Sequence, residues 1–258
     1  MTEILVADFL TGLMIFLRIV ALLLFVPFFK SDSIPTLARL GLALIITYLI
    51  FFNVEQYSYQ TGDSIFLLII NGVKEVFIGI ILGFSLNLVF QGISFAGLLI
   101  GRDMGLAMSS MFDPITGDDG NAIATILNMS AIIVFILING HHFVIESITY
   151  TFKMLPIGSF KVSQSLIDML IKLTGNVFLL SIKIASPILV AFFLVHIASG
   201  IISRVSPSFQ VFFVLLPLKI ILGIFLLVLV MPIYIYMIRN LMYAYEEKLF
   251  ELIKIMSF

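Results

Sequence analysis

The sequence predicts an all-α, polytopic membrane-associated protein of about six to seven long, kinked helices that ends in a helical hairpin. Three observations carry this expectation. Of the 258 residues, 61% are hydrophobic and 11% charged, with a mean hydropathy of +1.21. A soluble domain is about half apolar and a quarter charged, so a soluble core of this length cannot hide that much apolar surface. The apolar residues fall in runs as long as, or longer than, the roughly 20 residues that cross a bilayer. Glycines recur at four-residue spacing inside these runs, first Gly79 and Gly83, then Gly97, Gly101 and Gly105. That spacing puts them on one helix face. It weakens a helix in water and lets backbones approach closely in a membrane bundle.

Residues 4–29 are apolar apart from Asp8 and Arg18. Glu3 and Asp8 stand where a secretory signal carries positive charge, and no small-residue cleavage site follows, so this run is expected to be retained as a helix. Pro27 limits or kinks it. Residues 31–35 connect, and Pro35 can open the next helix at its first turn. The second apolar run covers 36–54, with Arg39 near its start. Residues 53–63 are polar, with Tyr57 and Tyr59 suited to a membrane interface.

Residues 64–105 are too long for one span, and Lys74, Glu75 and Gln91-Gly92 interrupt them. Two helices are predicted, about 64–90 and 92–112. The next helix covers 122–150 and contains Asn139-Gly140-His141-His142. Residues 151–163 form a loop carrying Lys153, Pro156, Gly158 and Lys161. Two further long helices, 164–200 and 208–252, are separated by a polar turn at 203–208, short enough to join antiparallel neighbours. Each holds a proline in mid-run (Pro187; Pro217, with Pro232 beyond) and a lysine close by, Lys183 and Lys219. Pro187 and Pro217 lack the N–H that would bond to the carbonyls of residues 183 and 213, so a bend is expected at each. Lys and Arg outside the apolar runs show no clear excess on either side, so orientation does not follow from charge. No repeat at solenoid period is present.

The net charge of −1 argues against a nucleic-acid partner. With no cysteine, disulfides and thiolate metal sites are excluded. Charges inside apolar runs are costly and usually face protein or a water-filled cavity. Arg18, Lys74, Glu75, Lys183 and Lys219, with Arg204 in the short turn, are therefore expected to make buried polar or subunit contacts or to line a lumen. Snorkelling toward an interface is the alternative. Lys74 and Glu75 are adjacent and do not share a face, so they are not expected to pair.

His141, His142 and Glu146 invite a metal reading. A zinc-protease helix needs two His at i, i+4 with Glu between them, which is absent, and the only other histidine is His196. Polar capping of a helix break is the expectation, with no metal and no cofactor. The acidic turn 113–120 does not fit a calcium loop. There is no nucleophile elbow, phosphate loop or dinucleotide fingerprint, so no catalytic residue is assigned and an enzyme is not expected.

The seam Gly97–Gly105 runs into Met104, Met108 and Met111, at i, i+4, i+7, then Phe112 and the turn opening at Asp113-Pro114. These residues suit ordinary core or a deformable seal, because Met side chains adapt to irregular gaps.

The ordered set of motifs resembles one family. It comprises Pro27-Phe28 with Ile34-Pro35 and Arg39, then Glu75 with Gly79 and Gly83, then Ala96-Gly97-Leu98-Leu99-Ile100-Gly101 with Met104-Gly105. Asp113-Pro114, Asn139-Gly140-His141, Pro156-Ile157-Gly158, and Pro217-Leu218-Lys219 with Gly223 follow in order. Together they look like the flagellar biosynthetic protein FliR family and its SctT-type injectisome counterparts, the inner-membrane export-gate subunit of type III secretion. One departure stands out. Arg204 and Pro207 match a flagellar Arg-x-x-Pro-Gln-x-Asn stretch, whereas Ser208 and Gln210 replace its Gln and Asn.

The resemblance implies a non-enzymatic structural and gating subunit of the flagellar basal body, forming part of the entrance pore for exported unfolded proteins. It implies membrane lipid around the chain and assembly with FliP-like and FliQ-like membrane subunits, in contact with FlhB-like and FlhA-like components. It also implies one integrated unit. A FliP-like part would cover 1–155, including a plug loop at about 105–121, and a FliQ-like kinked hairpin would cover 163–258. Alternatives are an injectisome export-gate subunit, or a self-contained ion-coupled transporter using Lys74, Glu75 or Lys183 as a relay.

Overall fold

The computed structural model describes residues 2–27, 35–52, 65–106, 121–205 and 211–257, with side chains described from Val6 and, in the last segment, from Val214. Among these residues seven helices account for the fold: α1 Thr2–Phe25, α2 Thr36–Phe51, α3 Ile65–Asp103, α4 Ala122–Leu137, α5 Gly140–Met154, α6 Gln164–Val205 and α7 Val211–Met256.

Proline sets two of the boundaries. α1 ends two residues before Pro27, and α2 begins directly after Pro35, whose carbonyl accepts from the amides of Ala38 and Arg39 at 2.9 and 3.3 Å. By contrast, Pro187 lies inside α6, and Pro217 and Pro232 lie inside α7, without ending either helix.

Two helices differ from the sequence expectation. α3 runs unbroken for 39 residues through Gln91-Gly92, about 58 Å at 1.5 Å per residue. Gly92 is a packing position and not a break: its carbonyl accepts from Ser181 Oγ at 2.8 Å, and Leu180 fills the space a side chain would take. The predicted 92–112 helix stops at Asp103. There Gly105 adopts φ +85°, Leu106 N–H bonds to Gly101 O, and Gly105 N–H bonds to Arg102 O, both at 3.0 Å. This double bond around a left-handed residue closes a helix, and glycine adopts it without a Cβ penalty. Gly105 therefore terminates the helix instead of continuing its packing face.

The predicted 122–150 helix is two helices, α4 and α5, bent by 69°. Asn139 makes the break with φ 61° and ψ 30°, a conformation that Asn tolerates better than most side chains. Its carbonyl accepts from the amides of His142 and Phe143 at 2.9 and 3.3 Å, and no side-chain cap bond is made there. The break is thus closed by backbone, and the histidines only stack, with ring centroids 4.2 Å apart.

α1, α3, α6 and α7 each contain a stretch long and apolar enough to cross a membrane, and the bent α4–α5 pair is a fifth candidate. The chain forms two compact units. The first combines Met1–Val89, Asn139–Thr174 and Met242–Phe258; the second combines Phe90–Ile138 and Gly175–Leu241. In the first unit Ile15 and Ile19 of α1 and Ile78 of α3 are completely buried, and Phe250 meets Phe143 and Tyr150 edge-on. In the second, Phe90 packs edge-on against Phe135, and Phe95 against Phe178.

Candidate functional site

The first unit is organised around a charge. α1 carries Arg18 into the core and α3 brings Glu75 to it, 57 residues later in the chain. Arg18 Nε and Nη2 both lie 2.6 Å from Glu75 Oε2, with the two side chains 1% and 0% exposed. The remaining guanidinium donors reach α5 and the connector after it: Nη1 donates to Thr151 Oγ1 at 3.1 Å and Nη2 to Leu155 O at 3.2 Å. The Phe152 ring stacks under the cation at 3.9 Å.

Glu75 uses its other oxygen as well, since Oε1 accepts from Gly158 N–H at 2.9 Å. Lys74 points elsewhere on α3, as adjacent helix residues must, yet its Nζ donates to Gly158 O at 2.9 Å. The two neighbours therefore hold the two sides of one glycine. Gly158 sits at φ +80°, and a Cβ there would come within 3.1 Å of the Asn71 side chain. Close packing lets the helices converge on this cluster. A Cβ on Gly79 would strike the Arg18 carbonyl, and one on Gly83 would stand 2.7 Å from Leu22 O and Phe25 Cβ. Fully satisfied buried charges of this kind fix geometry, and removing one partner strands the other.

The second unit holds the rest of the seam. Gly97 abuts the backbone of Ala124, and Gly101 is filled by the Asn121 side chain. Asn121 caps α4 through Oδ1, which accepts from Ile123 N–H at 3.0 Å, and its Nδ2 lies 3.3 Å from Leu98 O. The start of α4 is thereby fastened to the end of α3. Met104 is 0% exposed and packs on α7, where a Cβ on Gly223 would lie 2.6 Å from its side chain. Gly105 faces Leu216 of the same helix.

Lys219 Nζ on α7 lies 2.8 Å from His196 Nε2 on α6. Lys183 and Arg204 are exposed on α6. Met108, Met111, Phe112, Asp113 and Pro114, and with them most of the predicted loop 105–121, lie outside the described residues. Among the described residues no group of three or more His, Asp or Glu side chains gathers.

Arg18, Lys74, Glu75 and the glycines were legible in the sequence, but Thr151, Gly158 and Asn121 were not legible as their partners. Gly158 and Asn121 had signals available: a glycine after proline in a loop, and an Asn directly before an apolar run, the usual cap position. Thr151 had none.

The geometry defines a class: a multi-pass helical membrane protein whose buried Arg18–Glu75 pair is satisfied within the chain and whose glycines at 79, 83 and 97 let helices approach closely. The chain belongs to the bacterial export proteins, family 1, which it matches over residues 9–245. It is 32% identical to the flagellar biosynthetic protein FliR of Pectobacterium carotovorum subsp. carotovorum over 219 residues, covering 84% of this chain and 82% of that one. It is 30% identical to FliR of Escherichia coli (strain K12) over 216 residues, 84% and 82% of the two chains. The surface presentation of antigens protein SpaR of Shigella sonnei is 28% identical over 217 residues, 83% and 82%.

Proposed function

We propose that this protein is a structural and gating subunit of the export gate of a bacterial flagellar type III secretion system. It would sit in the inner membrane at the flagellar basal body and form part of the entrance pore for unfolded export substrates. It is not an enzyme in this reading. Its partners would be FliP-like and FliQ-like membrane subunits, with FlhB-like and FlhA-like components beside them. Residues 1–155 would act as the FliP-like part and 163–258 as the FliQ-like hairpin.

The observation that carries the gating role is the base of the 107–120 segment. Leu106 bonds back to Gly101, and Asn121 fills the space over the same glycine. The residues that flank the segment, Leu106 and Asn121, thus meet the fold at one glycine, a base from which a loop would be presented as a unit. Met108, Met111 and Phe112 would supply its seal, with Asp113 and Pro114 beginning its turn. Deleting 106–118 is expected to leave assembly intact and to make the membrane leak ions. Unchanged conductance in planar bilayers would remove the plug assignment.

The injectisome reading is supported by the likeness to SpaR and by Ser208 and Gln210, which depart in sequence from the flagellar stretch. A relay through Glu75 is disfavoured, because both its oxygens are engaged inside the chain.

A further inference from the structure

Among the described residues no carboxylate compensates the charge of Lys74. The lysine makes no ion pair among them, and its bond to Gly158 O uses one of the three ammonium donors. Glu75 cannot neutralise it, since Arg18 holds one carboxylate oxygen and Gly158 N–H the other. The cluster therefore contains two cations and one carboxylate. Beside the lysine lies a groove of about 320 Å³, lined by Ile69, Ile70, Val73 and Phe77 of α3 and by Phe160 and Val162 of the 155–163 connector. Among the described residues Lys74 is its one charged lining residue. Lys161, exposed, sits between the two connector residues, and Lys153, also exposed, stands near the end of α5.

We infer that this groove binds one anionic phospholipid, with its phosphate on Lys74 and an acyl chain along the α3 face. A cation next to hydrocarbon is costly until an anion joins it, and basic pockets between membrane helices suit anionic headgroups. The shape of the site asks for one anion joined to a long apolar body. That is an amphiphile, whereas a carboxylate on a partner helix would satisfy the charge and leave the apolar groove to be filled separately. The site is distinct from the loop base in the second unit, and its test does not depend on the gating role.

The test is native mass spectrometry of the full chain released from nanodiscs of phosphatidylcholine alone or doped with phosphatidylglycerol. One phosphatidylglycerol should be retained in preference to phosphatidylcholine. Lys74→Gln should lower that retention about fivefold, the worth of one lysine near a charged lipid, while Lys74→Arg keeps it. Val73→Trp, which fills the groove and leaves the charge in place, should also displace the lipid, and Lys172→Gln, exposed on α6, should not. Equal retention of the two lipids, or retention indifferent to Lys74→Gln and Val73→Trp, overturns the assignment. So does a photo-crosslinker at Val73 that captures a partner helix instead of lipid in the native complex.

Discussion

At the scale of single residues, the Arg18–Glu75 pair decides how three helices meet. Arg18→Met leaves a carboxylate buried without its cation, and the expected loss is about 3–5 kcal/mol. Arg18→Met combined with Glu75→Gln removes both charges while keeping an acceptor for Gly158 N–H, so it should recover much of that loss. Thermal denaturation of the detergent-solubilised variants measures both. A double variant no more stable than the single one would mean that the pair does not act as a closed unit. Both residues were legible in the sequence as charges in apolar runs. Their pairing was not, because nothing local records which distant helix a buried charge will face.

Among the helices, what matters at each glycine is what stands opposite it. Gly79→Ala and Gly97→Ala push a methyl into backbone of α1 and of α4, which cannot step aside. Gly92→Ala meets the end of the Leu180 side chain, which can turn away. Gly41 and Gly175 have open space within 4 Å, and alanine there should be neutral or stabilise by up to about 1 kcal/mol, the helix-propensity gain. The expected order of melting temperatures is Gly41→Ala and Gly175→Ala highest, then Gly92→Ala, then Gly79→Ala and Gly97→Ala. Equal loss at all five would refute backbone contact as the cause. Gly101→Leu should go further and block assembly, since Asn121 occupies its space; recovery of normal complex from that variant would rule out close packing at this point. Four-residue spacing made Gly79, Gly97 and Gly101 visible, yet it also swept in Gly105, whose left-handed conformation ends α3. Spacing reports a face only as long as the helix continues.

For the whole molecule, exposed apolar surface is the feature that needs an occupant. Phe178, Leu179 and Val190 of α6 and Ile221, Phe225 and Val228 of α7 are more than half exposed, in a helical pattern too apolar for water. Lipid and partner subunits are the surfaces that can cover it. Native mass spectrometry of the protein tagged at its C-terminus and purified from its own membranes is expected to show a large complex. This chain should be its minority, beside multiple copies of two small helical membrane proteins. A partnerless monomer would reopen the ion-coupled transporter reading.

The sequence by itself determined the helical class, the membrane setting, the proline that opens α2 and, through its ordered motifs, the family. The first three follow from composition or from local backbone chemistry, which neighbours along the chain suffice to specify. Only the tertiary structure decided that α3 is continuous, that 122–150 is broken at Asn139, and that Gly158 is held between Lys74 and Glu75. Each of those depends on which surface arrives from elsewhere in the chain. Ser181 on the Gly92 carbonyl makes that glycine a contact, just as Arg18 makes Glu75 a neutralised anchor.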